Sequence, residues 1–215
     1  MKKTFSALVA LVALALLNTV AARAQSVADD PPRREVAVHF SALTLTPSDG
    51  YRTEIGFGGR ITFNLNRNVA LEAETTLFPN SGRSAEPRAS GWAVQGLFGV
   101  KAGKRWEKFG VFAKARPGFI SFSRGKEVFD VISSTSTLIA FDEERATHFA
   151  TDVGGVLELY VTRRWTTRFD VGDTIIRYGS RTGLTGAPPP FPQTFTLPGN
   201  TRHNLQVNAG IGYRF

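Results

Sequence analysis

Apolar and polar side chains alternate along most of the chain from Glu35 onward. The last segment shows this most clearly, because every second residue from 205 to 215 is apolar and those between are Gln, Asn, Gly or Arg. Successive side chains of a β-strand point to opposite faces, so the pattern predicts a strand with one apolar face. Similar segments occupy residues 55–65, 69–77 and 149–159.

Weaker alternation fills the intervals between these segments. It predicts four further strands, at residues 36–42, 92–100, 109–115 and 167–171. The total is eight, and closed bacterial barrels of a single chain have an even number of strands. We therefore predict an all-β fold, an eight-stranded antiparallel up-and-down transmembrane β-barrel.

The connections between the predicted strands alternate in length. Short polar turns lie at residues 66–68, 103–107 and 163–164, whereas long connections span 44–54, 79–90, 123–146 and 179–203. Short periplasmic turns alternating with long outer loops are the layout of outer-membrane barrels. With eight strands, both ends of the chain fall on the periplasmic side.

Soluble β-sandwiches and lipocalin-like barrels also alternate, but they hide the apolar face and show the polar one. Here the polar face is rich in Gly, Asn, Thr and charged residues, which suits a narrow polar lumen. Aromatic residues fall at predicted strand ends, with Trp92 at an outer end and Trp106, Trp165, Tyr213 and Phe215 at periplasmic ends. Aromatic girdles at both interfaces favour a membrane barrel.

The chain begins with a predicted secretory signal. Lys2 and Lys3 precede an apolar run that ends near Val20, and small residues at positions 22 and 24 allow cleavage after Ala24. A membrane anchor is the alternative, but the run is short for a spanning helix. We expect a cleaved signal at 1–24, a disordered periplasmic leader at 25–34 and the barrel at 35–215.

Composition narrows the possible functions. The chain has no Cys, which excludes disulfides and thiolate metal ligands. Removing Lys2, Lys3 and Arg23 with the signal lowers the formal net charge from +8 to +5. The remaining basic residues are scattered singly, so we expect no nucleic-acid partner. Contact with lipopolysaccharide phosphates and a solvated mixed surface both remain open.

The ending Gly210-Ile211-Gly212-Tyr213-Arg214-Phe215 resembles the last strand of outer-membrane proteins. The mature chain as a whole is similar in pattern to the small eight-stranded group that includes OmpX and the barrel domain of OmpA. The resemblance implies that the terminal strand, with Tyr213 and Phe215, is the signal read by the barrel-assembly machinery. No peptidoglycan-binding domain follows, so anchoring to the cell wall is not expected.

The polar face of the predicted strands carries charges of both signs. Arg60 would face Glu72 or Glu74, Lys114 and Arg116 would face Asp152, and Glu158 would face Arg168. We expect either a polar plug that keeps the barrel rigid or a gated ion path opened by exchange of partners. The predicted network, beside which His39 also points inward, consists of Arg60, Glu72, Glu74, Lys114, Arg116, Asp152, Glu158, Arg168 and Asp170.

No catalytic, cofactor or metal site is expected from the sequence. His39 and Ser41 share the lumen face at mid-strand, His148 lies near an outer strand end, and His203 is assigned to a loop. The acidic run 142–144 could hold a divalent cation, with a solvated loop as the alternative. Alternation within 128–141 suggests that the fifth and sixth strands extend beyond the membrane as a protruding hairpin able to bind foreign proteins by strand addition.

We therefore expect a monomeric, non-enzymatic outer-membrane protein with a structural or surface-interaction role through its long outer loops. A narrow gated pore for ions or small solutes is the second possibility. A lipid-modifying enzyme is the third.

Overall fold

A computed structural model describes residues 32–45, 52–81, 91–123, 126–131, 137–142, 146–184 and 194–215. The predicted signal at 1–24 and most of the leader at 25–34 lie outside the described residues. Within the described parts, no helix is long and apolar enough to cross a membrane.

Eight long strands close into one barrel, as the alternation predicted. The strands are β1 (Arg34–Leu45), β2 (Arg52–Asn64), β3 (Val69–Ser81), β4 (Gly91–Arg105), β5 (Phe109–Phe122), β8 (Ala146–Tyr160), β9 (Trp165–Tyr178) and β12 (Asn200–Arg214). The order around the barrel is β1-β12-β9-β8-β5-β4-β3-β2, and every neighbouring pair is antiparallel. The eight-stranded antiparallel fold class is therefore confirmed.

Four short strands form two hairpins within the long connections. In the connection from β5 to β8, β6 (Lys126–Val131) pairs with β7 (Thr137–Asp142). In the connection from β9 to β12, β10 (Arg181–Leu184) pairs with β11 (Thr194–Leu197). The hairpin suggested for residues 128–141 thus exists as a separate two-stranded sheet rather than as an extension of the barrel strands.

The strands are strongly tilted. A path that starts at Thr44 of β1 and passes from each residue to its partner on the next strand returns to β1 at Arg34. This position is ten residues earlier in the chain than Thr44. A shear of this size in a barrel of eight strands corresponds to a tilt of about 40°. Such a barrel has an interior just wide enough for side chains to fill.

Alternation along each strand separates the two faces. Phe40 is 72% exposed, whereas its neighbours His39 and Ser41 are 3% and 2% exposed. The same contrast recurs along β2, where Ile55, Phe57 and Ile61 face outward. A wall with apolar side chains outside and polar ones inside is what a lipid-exposed barrel requires.

Asn66 shapes the tight turn between β2 and β3. Its side-chain oxygen accepts hydrogen bonds from the backbone N–H groups of Asn68 and Val69, both at 2.8 Å. The Leu65 N–H donates to the Val69 carbonyl oxygen at 3.0 Å and closes the turn. This is the Asx-turn chemistry for which Asn is favoured between strands.

The ordered strands extend beyond their predicted ends. β1 begins at Arg34 rather than at residue 36, and the preceding Pro32 and Arg33 accept hydrogen bonds from Asn64 through their carbonyl oxygens. The end of the predicted leader is therefore held against the barrel. The assignment of His203 to a loop is wrong, because β12 already begins at Asn200 and pairs with β9 there. β12 begins with the polar residues Asn200–Asn204, which alternation does not detect.

Two adjacent glycines on β8 give a test of the barrel geometry. A Cβ at Gly154 would overlap the Val171 carbonyl oxygen and the Gly172 Cα of β9, whereas a Cβ at Gly155 meets nothing within 4 Å. We expect Gly154→Ala to destabilise the barrel by about 1–3 kcal/mol. Gly155→Ala should change the free energy of unfolding by less than about 0.5 kcal/mol. Urea unfolding in phospholipid vesicles measures both, and equal effects would contradict this packing.

Candidate functional site

The charged residues predicted for the lumen all occupy inward-facing positions. Each is at most 4% exposed, and His39 lies among them at 3%. The structure therefore brings the whole predicted set into one interior, while the functional role of these residues stays a prediction. The set is Arg60, Glu72, Glu74, Lys114, Arg116, Asp152, Glu158, Arg168 and Asp170.

Arg116 is the centre of one group of contacts. Its Nη1 lies 2.8 Å from Glu74 Oε2, and its Nε and Nη2 lie 3.0 and 2.5 Å from Asp152 Oδ2. Lys114 Nζ reaches the same Asp152 oxygen at 2.8 Å. These contacts join β3, β5 and β8 across the lumen, so they hold the positions of three strands at once.

Glu74 faces three basic side chains. Besides Arg116, its carboxylate lies 3.5 Å from Arg60 Nη1 and 3.8 Å from His39 Nε2. His39 Nε2 also bonds the Thr76 hydroxyl at 2.9 Å. Arg60 further lies 3.8 Å from a carboxylate oxygen of Glu35. A change of charge at Glu74 would therefore affect most of this group.

Arg168 is the centre of a second group nearer the periplasmic end. Its guanidinium forms a two-pronged contact with Glu72, in which Nη2 lies 2.9 Å from Oε2. Its Nε donates to Asp170 Oδ1 at 2.6 Å. The predicted neighbour Glu158 is farther, with 3.8 Å between Arg168 Nη1 and Glu158 Oε1. Two-pronged carboxylate pairs are among the strongest polar contacts in proteins.

Lys101 completes this group and was missed in the sequence. Its Nζ makes a close ion pair with Glu158 and lies 3.2 Å from Glu72 Oε1. Lys101 is fully buried on β4, which continues to Arg105 although the predicted strand stopped at residue 100. The alternation of Phe98 and Val100 already placed position 101 on the inner face. Adding Lys101 to the predicted network gives five cations and five anions.

Aromatic and basic side chains fill the periplasmic end of the lumen. Arg105 Nε donates to the Tyr160 hydroxyl at 2.8 Å, and that hydroxyl donates to Glu158 Oε2 at 3.0 Å. The Arg214 guanidinium lies over the Tyr160 ring, 4.4 Å from its centroid. Arg105 also donates to Asn64 Oδ1 at 3.1 Å. These contacts connect the charged groups to Asn64 of β2 and Arg214 of β12.

A belt of uncharged polar side chains lies inside the lumen, between the charged groups and the outer end of the barrel. The side-chain amides of Gln95 and Gln206 bond each other at 3.0 and 3.1 Å across the lumen. Gln206 also donates to Ser41 Oγ at 3.0 Å and accepts from the Thr174 hydroxyl at 2.6 Å. This belt links β1, β4, β9 and β12 through hydrogen bonds.

Beyond this belt, apolar side chains gather toward the outer end of the lumen, where Glu54 and His148 are also buried. The sequence did not predict this apolar group. These side chains lie nearer the outer ends of their strands than the charged residues of the lumen do. Leu43, for example, lies farther out on β1 than His39, and Phe78 lies farther out on β3 than Glu74. Leu45, Phe122 and Tyr178 pack against the group. We call this group the apolar layer; it consists of Leu43, Phe78, Ala93, Ile120, Ala150 and Ile176, each at most 1% exposed.

Two residues considered for catalysis have other neighbours in the structure. Ser41 bonds Gln206, and the His148 ring packs 4.7 Å from that of Tyr178. No group of three or more His, Asp or Glu in the part of the chain that the structure describes is arranged to hold a metal ion. Of the acidic run, residues 143 and 144 lie outside it. The expected absence of catalytic, metal and cofactor sites stays a prediction.

Aromatic rings gather at the periplasmic rim. Trp106 stacks on Phe109 at 4.7 Å between ring centroids, and Trp165 meets Tyr213 edge-on at 5.2 Å. Phe215 N–H donates to the Arg34 carbonyl oxygen at 2.9 Å, so the last residue pairs with the start of β1. The role of Tyr213 and Phe215 as an assembly signal stays a prediction.

The fold, but not the sequence, matches known proteins. No protein-family model matches the chain, and no curated protein matches it. Neisserial surface protein A has a similar structure, with a TM-score of 0.51 at 11% identity, covering 87% of this chain and 99% of that one. OprG from Pseudomonas aeruginosa also gives 0.51, at 8% identity, covering 86% and 97%. At such identities the likeness establishes the fold alone.

The chain therefore has the fold of the small eight-stranded outer-membrane β-barrels, and the predicted resemblance is confirmed. A closed sheet, an apolar outer wall and aromatic rings at the rim are the properties of a barrel in a bacterial outer membrane. The protein is an outer-membrane barrel, as the sequence predicted.

Proposed function

We propose that this protein is a sealed, non-enzymatic outer-membrane barrel that presents its outer hairpins at the cell surface. The observation that carries the proposal is that paired charges occupy the middle of the lumen and the apolar layer lies toward its outer end. A barrel built in this way serves as a rigid support for the outer hairpins.

The apolar layer supports a sealed lumen more strongly than the charges do. Ion pairs could exchange partners and open a path, as the pore alternative requires. However, the side chains of Phe78, Ile120 and Ile176 themselves offer a passing ion no polar group. An ion stripped of water there would pay a large desolvation cost. Hydrophobic constrictions of this kind block channels by excluding water.

The outer hairpins support the surface role. β6 and β7 pair over six residues each, and β7 lies beside β10 of the second hairpin. Each hairpin is a two-stranded sheet separate from the barrel. The edge of such a sheet can accept a strand from another protein through backbone hydrogen bonds. Surface loops on a rigid scaffold commonly carry binding functions.

Deleting residues 128–141 tests this role. We expect the deletion to leave barrel folding intact, because the paired barrel strands β5 and β8 close without the hairpin. Heat-dependent gel mobility would show the folded barrel. Cells that express the deletion variant should attach less to glass and to one another, because the paired strands β6 and β7 of the outer hairpin are lost.

A second variant, in which the chain length is unchanged, controls for shortening of the connection. Replacing residues 128–141 by Gly and Ser keeps the connection but removes strand propensity. This variant should behave like the deletion. If both variants attach as well as the intact chain at equal surface levels, the proposed role of this hairpin is wrong.

A further inference from the structure

Asp173 is a carboxylate on the lipid-facing wall. On the outward face of the barrel strands that the structure describes, it is the one acidic residue. The outward-facing residues on either side of it along β9, Val171 and Ile175, and its cross-strand partners, Val153 on β8 and Leu205 on β12, are apolar. A charge facing lipid is costly, so an ionisable residue in this position indicates a function.

His203 pairs with this carboxylate at the outer rim. Its Nδ1 lies 2.5 Å from Asp173 Oδ2, with the two side chains 69% and 40% exposed. The Asn204 backbone N–H donates to Asp173 Oδ1 at 3.0 Å, which fixes the other carboxylate oxygen. Asp173 is thus held on both oxygens.

The pair lies where the barrel meets the outer surface. β12 pairs with β1 outward only as far as Leu205 and Thr44, whereas it pairs with β9 as far as Asn200. His203 belongs to this projecting part of β12. Ile175, the cross-strand partner of His203 on β9, and Leu205, the next outward-facing residue of β12, are apolar, so apolar side chains border the pair.

A second cation lies on the same outward face. Arg177 is exposed on β9, and its cross-strand partner is Thr201 of β12. Thr201 precedes His203 by two residues, so its side chain shares that face. An arginine, a histidine and a hydroxyl therefore occupy adjacent positions at one point of the rim.

We propose that Arg177, His203 and Thr201 form a binding site for the phosphate group of an outer-leaflet lipid. The proposal rests on the outer-membrane placement used above and deepens the proposed surface role. Arg177 and His203 would donate charge-assisted hydrogen bonds to phosphate oxygens. Asp173 would hold the His203 ring in place, and the apolar residues below would contact the acyl chains.

Lipid retention by the purified full-length barrel tests the site. The folded protein would be placed in detergent with diphosphoryl lipid A, fully dephosphorylated lipid A or phosphatidylglycerol, and bound lipid would be counted by native mass spectrometry. We expect Arg177→Gln/His203→Gln to weaken binding of a phosphorylated lipid by at least about tenfold. Heat-dependent gel mobility would verify folding of each variant.

A matched double variant controls for total charge. Arg34 and Lys104 are outward-facing cations at the periplasmic rim, so Arg34→Gln/Lys104→Gln removes the same charge at the other end of the barrel. This control should bind phosphorylated lipid as the wild type does.

The outcomes separate the two sources of phosphate. Selective loss of diphosphoryl lipid A binding assigns the site to lipid A, and selective loss of phosphatidylglycerol binding assigns it to a glycerophospholipid. Equal binding by the Arg177/His203 variant and the wild type overturns the proposal, as does equal retention of phosphorylated and dephosphorylated lipid A together with unchanged phosphatidylglycerol binding. Loss of the hairpin role would leave these results unchanged.

Discussion

Replacing Arg168 by Met is expected to cost about 3–5 kcal/mol of unfolding free energy. Arg168 is buried and contacts Glu72 through both Nη atoms and Asp170 through Nε. Without the guanidinium, two buried carboxylates lose their main counter-charge. Lys101 lies 3.2 Å from Glu72 and can compensate for only part of the loss. An uncompensated buried charge is the reason that breaking a buried pair destabilises strongly.

Urea unfolding of the refolded protein in phospholipid vesicles measures this effect. Arg163→Met is the matched control, because Arg163 is exposed in the turn between β8 and β9. The control should change stability by less than about 0.5 kcal/mol. Equal stability of the two variants would show that the lumen network does not hold the barrel together.

Reversing the charge at Glu74 is expected to prevent most of the chain from folding. In Glu74→Lys, the new ammonium group would lie near Arg116, Arg60 and His39, the groups that now surround the carboxylate. Asp152 would then be the nearest remaining acid of Arg116. Like charges in a closed interior cannot be relieved by water, so the folded state is strongly disfavoured. The fraction of heat-modifiable protein after refolding measures the loss.

Glu74→Gln is the companion variant. It keeps the size of the side chain and its ability to accept a hydrogen bond from Arg116, but it removes the charge. We expect an intermediate folding yield, above that of Glu74→Lys and below that of the wild type. A wild-type yield for Glu74→Lys would mean that Glu74 does not balance these cations in the folded barrel.

Alternation was sufficient to predict the barrel but not the lengths of its strands. Within the lipid, apolar and polar residues must alternate, so the segment at 205–215 was assigned correctly. Above the lipid, either face can be polar and the strand still pairs, as at Asn200–Asn204. For this reason His203 was placed in a loop. Its partner Asp173 comes from another strand, and only the register brings the two together.

The contacts inside the lumen could likewise be predicted only in part from the sequence. The residue pairs across neighbouring strands followed from parity, including those of Lys114 and Arg116 with Asp152. The contact of Arg168 with Glu72 joins β9 and β3, which are not neighbours, so it depends on closure of the barrel. The apolar layer was missed because Leu43 and Ile176 lie beyond the strand ends predicted from the sequence.

Single-channel recording tests the central claim that the lumen is sealed. The mature barrel would be refolded, its folding verified by heat-dependent gel mobility, and the protein inserted into a planar bilayer. The apolar layer and the neutralised charges predict a silent barrel without discrete openings. Reproducible unitary openings of the wild type would contradict the sealed lumen and would establish the narrow pore in its place.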